Sequence, residues 1–247
     1  MKRISIILLL FVTICYMSAQ NKKILTNINS IISQEQIEFK YDSKGQLKSL
    51  TEKGKTALRE FSFKYDKDNR LVECNINRDK GSIIRNSKYS FIDNKTIKET
   101  VIEKGRMLNS ILEDAETLYL DDKGLLARIL FDNGDIWEQF SYDNNENLIH
   151  YTYNSTTLRG TSETTLKYDN NKSPLSIVSL PKWFWAHILN NTKRCFDFIG
   201  TNNAIESFTK DLYKDDTKIA ISYQYDKEGY PVKQFYNGEL VRELIYK

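Results

Sequence analysis

One frame recurs along this chain and limits what it can become. Ile37-Glu38-Phe39-Lys40-Tyr41-Asp42-Ser43-Lys44-Gly45-Gln46-Leu47 matches Phe61-Ser62-Phe63-Lys64-Tyr65-Asp66-Lys67-Asp68-Asn69-Arg70-Leu71 almost residue for residue. The frame returns at Gln139–Asp143 with Leu148, at Thr165–Asp169 with Leu175 and at Ser222–Asp226 with Val232, with degenerate copies centred on Asp93 and Asp121. The aspartates at 42, 66, 93, 121, 143, 169 and 226 are 24, 27, 28, 22, 26 and 57 residues apart. The last gap is about two periods, which implies that one copy has been replaced or has decayed. Self-similarity at such a period signals an array of supersecondary units, each burying its apolar face against its neighbours.

A second series, Gly54, Gly81, Gly105, Gly134, Gly160 and Gly238, runs out of phase with the aspartates. Each unit therefore reads as strand, Tyr-Asp turn, strand, glycine turn. Ile37, Phe39 and Tyr41 alternate with Glu38 and Lys40, the period of a strand with one buried face. Each aspartate is placed to accept a backbone N–H two residues on, and Gly45, Asn69, Gly124 and Gly229 stand three residues after theirs, where positive φ is tolerated. Glu146 and Lys172 depart from that rule, so those turns are expected to be longer or differently shaped. Asn133-Gly134 and Asn237-Gly238 read as type I′ hairpins. Short turns make consecutive strands antiparallel neighbours, and twelve to fourteen of them in one meander must curl into an open or closed barrel or roll. The expected fold class is all-β, with one short helical insertion.

These residues resemble the YD repeat of RHS-type proteins, whose hairpins coil into a β shell. The pattern Tyr168-Asp169…Pro174-Leu175, Asn202-Asn203 and Tyr225-Asp226…Gly229-Tyr230-Pro231 is more similar to exported Gram-negative proteins of unknown function with degenerate YD repeats. The likeness covers roughly residues 35–247. It implies architecture, and no catalytic or ligand residues come with it.

The first residues set the compartment. Met1-Lys2-Arg3, a short apolar run from Ile4 to Cys15 and Met17-Ser18-Ala19 before a polar stretch make a secretory signal over 1–19, cut between Ala19 and Gln20. Cys15 allows a lipoprotein reading, but Ile14 stands where a small residue is usual. Export then places residues 20–247, one domain, in the periplasm, on the cell surface or outside the cell. Loss of Lys2 and Arg3 brings the formal charge from +3 to +1, without the basic patch that nucleic acid demands. Cys74 lies on the apolar side of its strand pattern and reads as a buried thiol; pairing with Cys195 is the alternative.

The repeat breaks across about 176–203. Pro181 suits a helix start, Phe184, Trp185, Ile188 and Leu189 share a helical face, and Asn190-Asn191 suits a stop, so a short helix is expected near 181–191. It reads as a core cap; Trp183, Trp185 and His187 are also the candidate ligand-binding residues, since aromatic platforms serve sugars and peptides.

Catalytic chemistry has little material here. His150 and His187 are the only histidines, and no P-loop, G-x-S-x-G or H-E-x-x-H occurs. Asp143–Asn147 imitates the start of a calcium loop but lacks its glycine, and Asn154 stands where a bidentate Glu belongs. No catalytic residue, cofactor or metal site is expected, and the turn aspartates are assigned to structure. The sequence thus favours a non-catalytic envelope or surface scaffold for a glycan, a peptide or an envelope protein. The alternatives are an outer-membrane β-barrel and a carbohydrate-active hydrolase, the latter needing clustered carboxylates away from the turns.

Overall fold

The computed structural model describes residues 23–105, 110–131, 133–155, 160–189, 196–212 and 214–247. The leader 1–19 with Cys15 and the Ala19/Gln20 junction lies outside the described residues, as do Asn190, Asn191 and Cys195.

Sixteen antiparallel strands form one closed barrel in simple sequence order. They are β1 Leu25–Ser30, β2 Glu35–Tyr41, β3 Leu47–Lys53, β4 Leu58–Tyr65, β5 Leu71–Arg78 and β6 Ile83–Phe91. Then follow β7 Thr96–Gly105, β8 Ser110–Leu120, β9 Leu126–Leu130, β10 Ile136–Tyr142 and β11 Leu148–Ser155. The last five are β12 Gly160–Lys172, β13 Asn202–Lys210, β14 Thr217–Tyr225, β15 Pro231–Tyr236 and β16 Glu239–Tyr246. β1 closes on β16, with Ile28 opposite Leu244. The sequence undercounts the strands because β1 and β16 lie outside the Tyr-Asp copies.

The 57-residue gap has a different cause from a lost copy. At five of the turns, the aspartate Oδ1 accepts the N–H groups two and four residues on: Lys44 and Gln46 for Asp42, Asp68 and Arg70 for Asp66, Lys123 and Leu125 for Asp121, Asn145 and Asn147 for Asp143, Glu228 and Tyr230 for Asp226. Asp93 accepts from Lys95. Asp169 accepts from Asn171, and its second donor is the N–H of Asn203 across the insertion. The chain has been opened inside a Tyr-Asp turn, and the strand that resumes at Asn202 stays in register. The gap is one ordinary period plus the inserted segment.

Two turn expectations also need correction. Glu146 takes positive φ, 65°, and its turn has the same hydrogen bonds as its siblings, with the glutamate bearing strain that glycine avoids elsewhere. At Asn133-Gly134 the backbone bonds run from Phe131 N–H to Asp135 O and from Gly134 N–H to Phe131 O, the pattern that the Tyr-Asp turns also use, and Gly134 has positive φ. Asn237 and Gly238 both have positive φ, at 49° and 88°, and make the expected two-residue turn.

The tyrosine of the motif is a stitch between strands. Tyr41, Tyr65, Tyr142 and Tyr168 donate their hydroxyls to the carbonyls of Leu25, Leu47, Leu126 and Leu148, each at the start of the preceding strand. Those four leucines are fully buried.

Alternation decides inside from outside. Phe39, Leu50, Phe61, Phe63, Tyr89, Ile97, Leu118, Phe140, Leu166 and Ile221, from strands all around the wall, belong to one buried cluster in the interior. Facing outward between them are exposed Lys40, Glu60, Lys64, Lys88, Lys98, Lys167 and Lys218. Cys74 is a free thiol in this interior, where burial pushes its pKa up.

Candidate functional site inside the barrel

The inserted segment is a plug. Pro174–Ile177 and Phe196–Phe198 are 3₁₀ turns, and between them helix α1, Lys182–Phe184, runs on into a π turn, Trp185–Leu189. Pro181 sits at the start, its carbonyl accepting the N–H groups of Phe184 and Trp185. The helix lies where expected but is not amphipathic. Trp183, Trp185 and His187 are 5%, 3% and 2% exposed, and Phe184, Ala186 and Ile188 are buried too. A helix apolar all round belongs in a core, and this one is surrounded by barrel wall.

The plug is fixed at its base by Ser173 Oγ donating to Phe198 O at 2.7 Å, and by Asn147, whose Oδ1 accepts the Asn202 N–H at 2.8 Å. Gly200 packs so closely on Asn147 that a Cβ there would meet Oδ1 at 2.8 Å. Lys182 pairs with Glu146 at the rim. Deeper in, Phe184 meets the edge of Phe63 at 5.6 Å, and Trp183 meets Tyr89 at 5.1 Å between centroids. The two tryptophans therefore line packing contacts. A crevice of about 20 Å³ beside Trp185, lined by Leu125, Tyr142, Glu146 and Phe198 among others, is the size of a single water.

His187 leads to polar residues that the alternation pattern places indoors. Its Nε2 lies 2.7 Å from Glu99 Oε2, and both side chains are closed to solvent. Glu99 on β7 stands directly opposite Glu116 on β8. Arg85 on β6 lies 3.7 Å from Glu99 Oε1, and Glu138 on β10 is buried close enough to raise the His187 pKa. Burial pushes the Glu99 carboxyl up, but the charge and hydrogen bond of His187 outweigh it and hold the pKa at about 2. Burial opposes the imidazolium as well, and Glu99 overcomes it, so the His187 pKa is raised. Glu116 goes the other way: burial lifts its pKa, opposed by His187 and reinforced by Glu99. One oxygen or ring nitrogen each of Glu99, Glu116 and His187 lie within 4.8 Å of one another.

These are clustered carboxylates away from the turns, and the sequence reading passed over them. The signal was there: Glu99 falls between Ile97 and Val101, Glu116 two before Leu118 and Glu138 two before Phe140, each at a position the period assigns to the core. Glu99 is fully enclosed, with an imidazole hydrogen-bonded to it.

A second polar cluster binds the far end of the plug to the wall. Asp197 Oδ2 accepts from Gln234 Nε2 and Arg242 Nη1, both at 3.1 Å, and from the Tyr236 hydroxyl. Arg242 also donates to Gln234 and, at 2.8 Å, to Tyr236. The Asp143 carboxylate is occupied by the N–H groups of Asn145 and Asn147 and by Asn147 Nδ2, as a turn cap is. His150 lies on β11, half-buried and opposite Thr165.

Together these features define a closed antiparallel β-barrel with an apolar interior and an internal plug. No family model and no curated protein matches the chain. Among solved structures it is similar to a porin-like protein from Bacteroides uniformis, at 13% identity and a TM-score of 0.51, over 92% of this chain and 96% of that one. At that identity the likeness concerns the fold alone.

Proposed function

We propose that the chain is an exported, non-catalytic envelope barrel built on degenerate YD repeats, with a wall that works in water as a scaffold for binding or structural interaction. The observation that carries this reading is the outer face. Lys40, Lys64, Lys88, Lys98, Lys167 and Lys218 point outward, interspersed with exposed aliphatic residues such as Ile84, Ile149, Ile205 and Ile245, while the buried aromatic and aliphatic cluster points inward. A lipid-facing wall has the opposite polarity, and one lysine at the bilayer midplane costs roughly 2–4 kcal/mol. Part of the wall is also short: β9 has five residues, and β1 and β15 six, against the ~9–11 that cross a bilayer, a length that β7, β8 and β12 reach with 10, 11 and 13.

The second reading is an outer-membrane barrel. It is favoured by closure with an even number of antiparallel strands, and by the likeness to a porin-like protein. Fractionation of the native host separates the two. Release by osmotic shock is the outcome expected for the water-facing barrel. Retention in the carbonate-resistant outer-membrane pellet, unchanged by Cys15→Ala, would overturn it in favour of the membrane barrel. Retention abolished by Cys15→Ala would leave a water-facing barrel on a lipid tether.

A further inference from the structure

We infer that Glu99, Glu116 and His187 form a divalent-cation site that pins the plug to the barrel wall. Two strands and the plug each supply one ligand: Glu99 from β7, Glu116 from β8 and His187 from the π turn, with donor atoms within 4.8 Å of one another. Small inward movements bring such a set around an ion bound at about 2.0–2.2 Å, and one imidazole with two carboxylates suits zinc and its first-row neighbours.

Geometry alone would leave a cluster; two further observations point to a cation. Glu99 Oε1 and Glu116 Oε2 are shielded from solvent and accept no hydrogen bond among the described residues, although buried carboxylate oxygens are ordinarily satisfied. Moreover, Glu99 and Glu116 are directly opposed on neighbouring strands, an arrangement that like charges destabilise. Arg85, 3.7 Å from Glu99 Oε1, and His187 are the cationic groups that face these two carboxylates. A cation between the two opposed carboxylates relieves their repulsion and occupies the oxygens that accept no hydrogen bond.

The site lies nearest to solvent on the Asp114 side of Glu116. Residues facing the lumen along β8 become steadily more open toward the glycine-turn end, from buried Leu118 through half-buried Glu116 to exposed Asp114, which faces inward opposite Val101.

The test is calorimetric titration of the metal-stripped mature chain with ZnCl2, paired with thermal melts. The variants are Glu116→Gln, His187→Gln and, as a control, His150→Gln. We expect one zinc per chain, a higher Tm with zinc, affinity at least about tenfold weaker in Glu116→Gln and His187→Gln, and no change in His150→Gln. Glu116→Gln keeps the shape of a half-buried side chain, so it remains informative should His187→Gln fail to fold. No saturable binding to the wild type overturns the site. So does binding that Glu116→Gln leaves intact, or that His150→Gln removes.

Discussion

The two polar clusters inside the barrel do the same mechanical job with opposite electrostatics. At Asp197 one carboxylate meets one guanidinium, and Gln234 and Tyr236 fill the remaining hydrogen-bonding positions, so the charges are mutually satisfied. At Glu99 two opposed carboxylates share an imidazole, with Arg85 at 3.7 Å and carboxylate oxygens that accept no hydrogen bond. Both tie the plug to the wall. The first is complete in its own residues, whereas the second leaves two buried carboxylate oxygens without a hydrogen bond, which is why the cation site is inferred at the second and not the first.

Mutations at the two clusters should therefore differ in sign. Asp197→Ala removes the carboxylate that Arg242, Gln234 and Tyr236 all donate to, and should cost on the order of 3 kcal/mol in urea unfolding, the usual penalty for breaking a buried pair. A change below about 1 kcal/mol would mean that the network is less closed than its geometry indicates. Asp42 gives a local reference, since the hydrogen bonds that cap its turn come from the backbone N–H groups of Lys44 and Gln46. Asp42→Ala should lose about 1 kcal/mol, as other side-chain caps do, with no further effect on the barrel. In the presence of EDTA, Glu116→Gln should be neutral or stabilising by up to about 1 kcal/mol, because it removes one of two opposed charges. A clear loss of stability would place Glu116 in a satisfied network like that of Asp197.

The smallest effect concerns acid. Asp226 is partly desolvated, which raises its pKa, but Lys23 and the N–H groups of Tyr230 and Glu228 more than compensate, so it lies below the usual carboxylate range. A depressed folded pKa contributes stability that is present above about pH 4 and is lost as pH falls through the folded value. Asp226→Asn should flatten the decline in Tm on that acid limb, and an unaltered acid limb would show that the turn carboxylate is not what titrates.

Much of the wall was legible because it obeys local rules. The Tyr-Asp-x-x-Gly frame encodes its own hydrogen bonds, alternation assigns faces, and short turns enforce antiparallel order. The errors arose where local rules were overridden. Glu146 adopts the backbone of its glycine siblings without being glycine, because the turn's two capping bonds fix it. The apparent missing copy was an insertion inside a turn, hidden because Asn203, remote in sequence, replaces a donor normally four residues away. Trp183, Trp185 and His187 were chosen for their chemistry, and the structure brings them together inside the core. Their partners Glu99, Glu116 and Arg85 come from strands up to a hundred residues distant, and a pattern read one strand at a time does not reveal that these inward carboxylates converge.

The seam between β1 and β16 has a consequence for how the molecule is made. Ile24 and Lys247 exchange backbone hydrogen bonds at 2.9 Å, so the first described strand waits for the last before its outer edge is covered. Fifteen strands can zip sequentially, neighbour onto neighbour, yet the ring stays open until the carboxyl-terminal strand arrives. Contacts this distant in sequence slow folding, and an unpaired edge recruits other chains. A chain ending before β16 would carry two such edges, on β1 and β15, and its expected fate is assembly into oligomers by edge pairing.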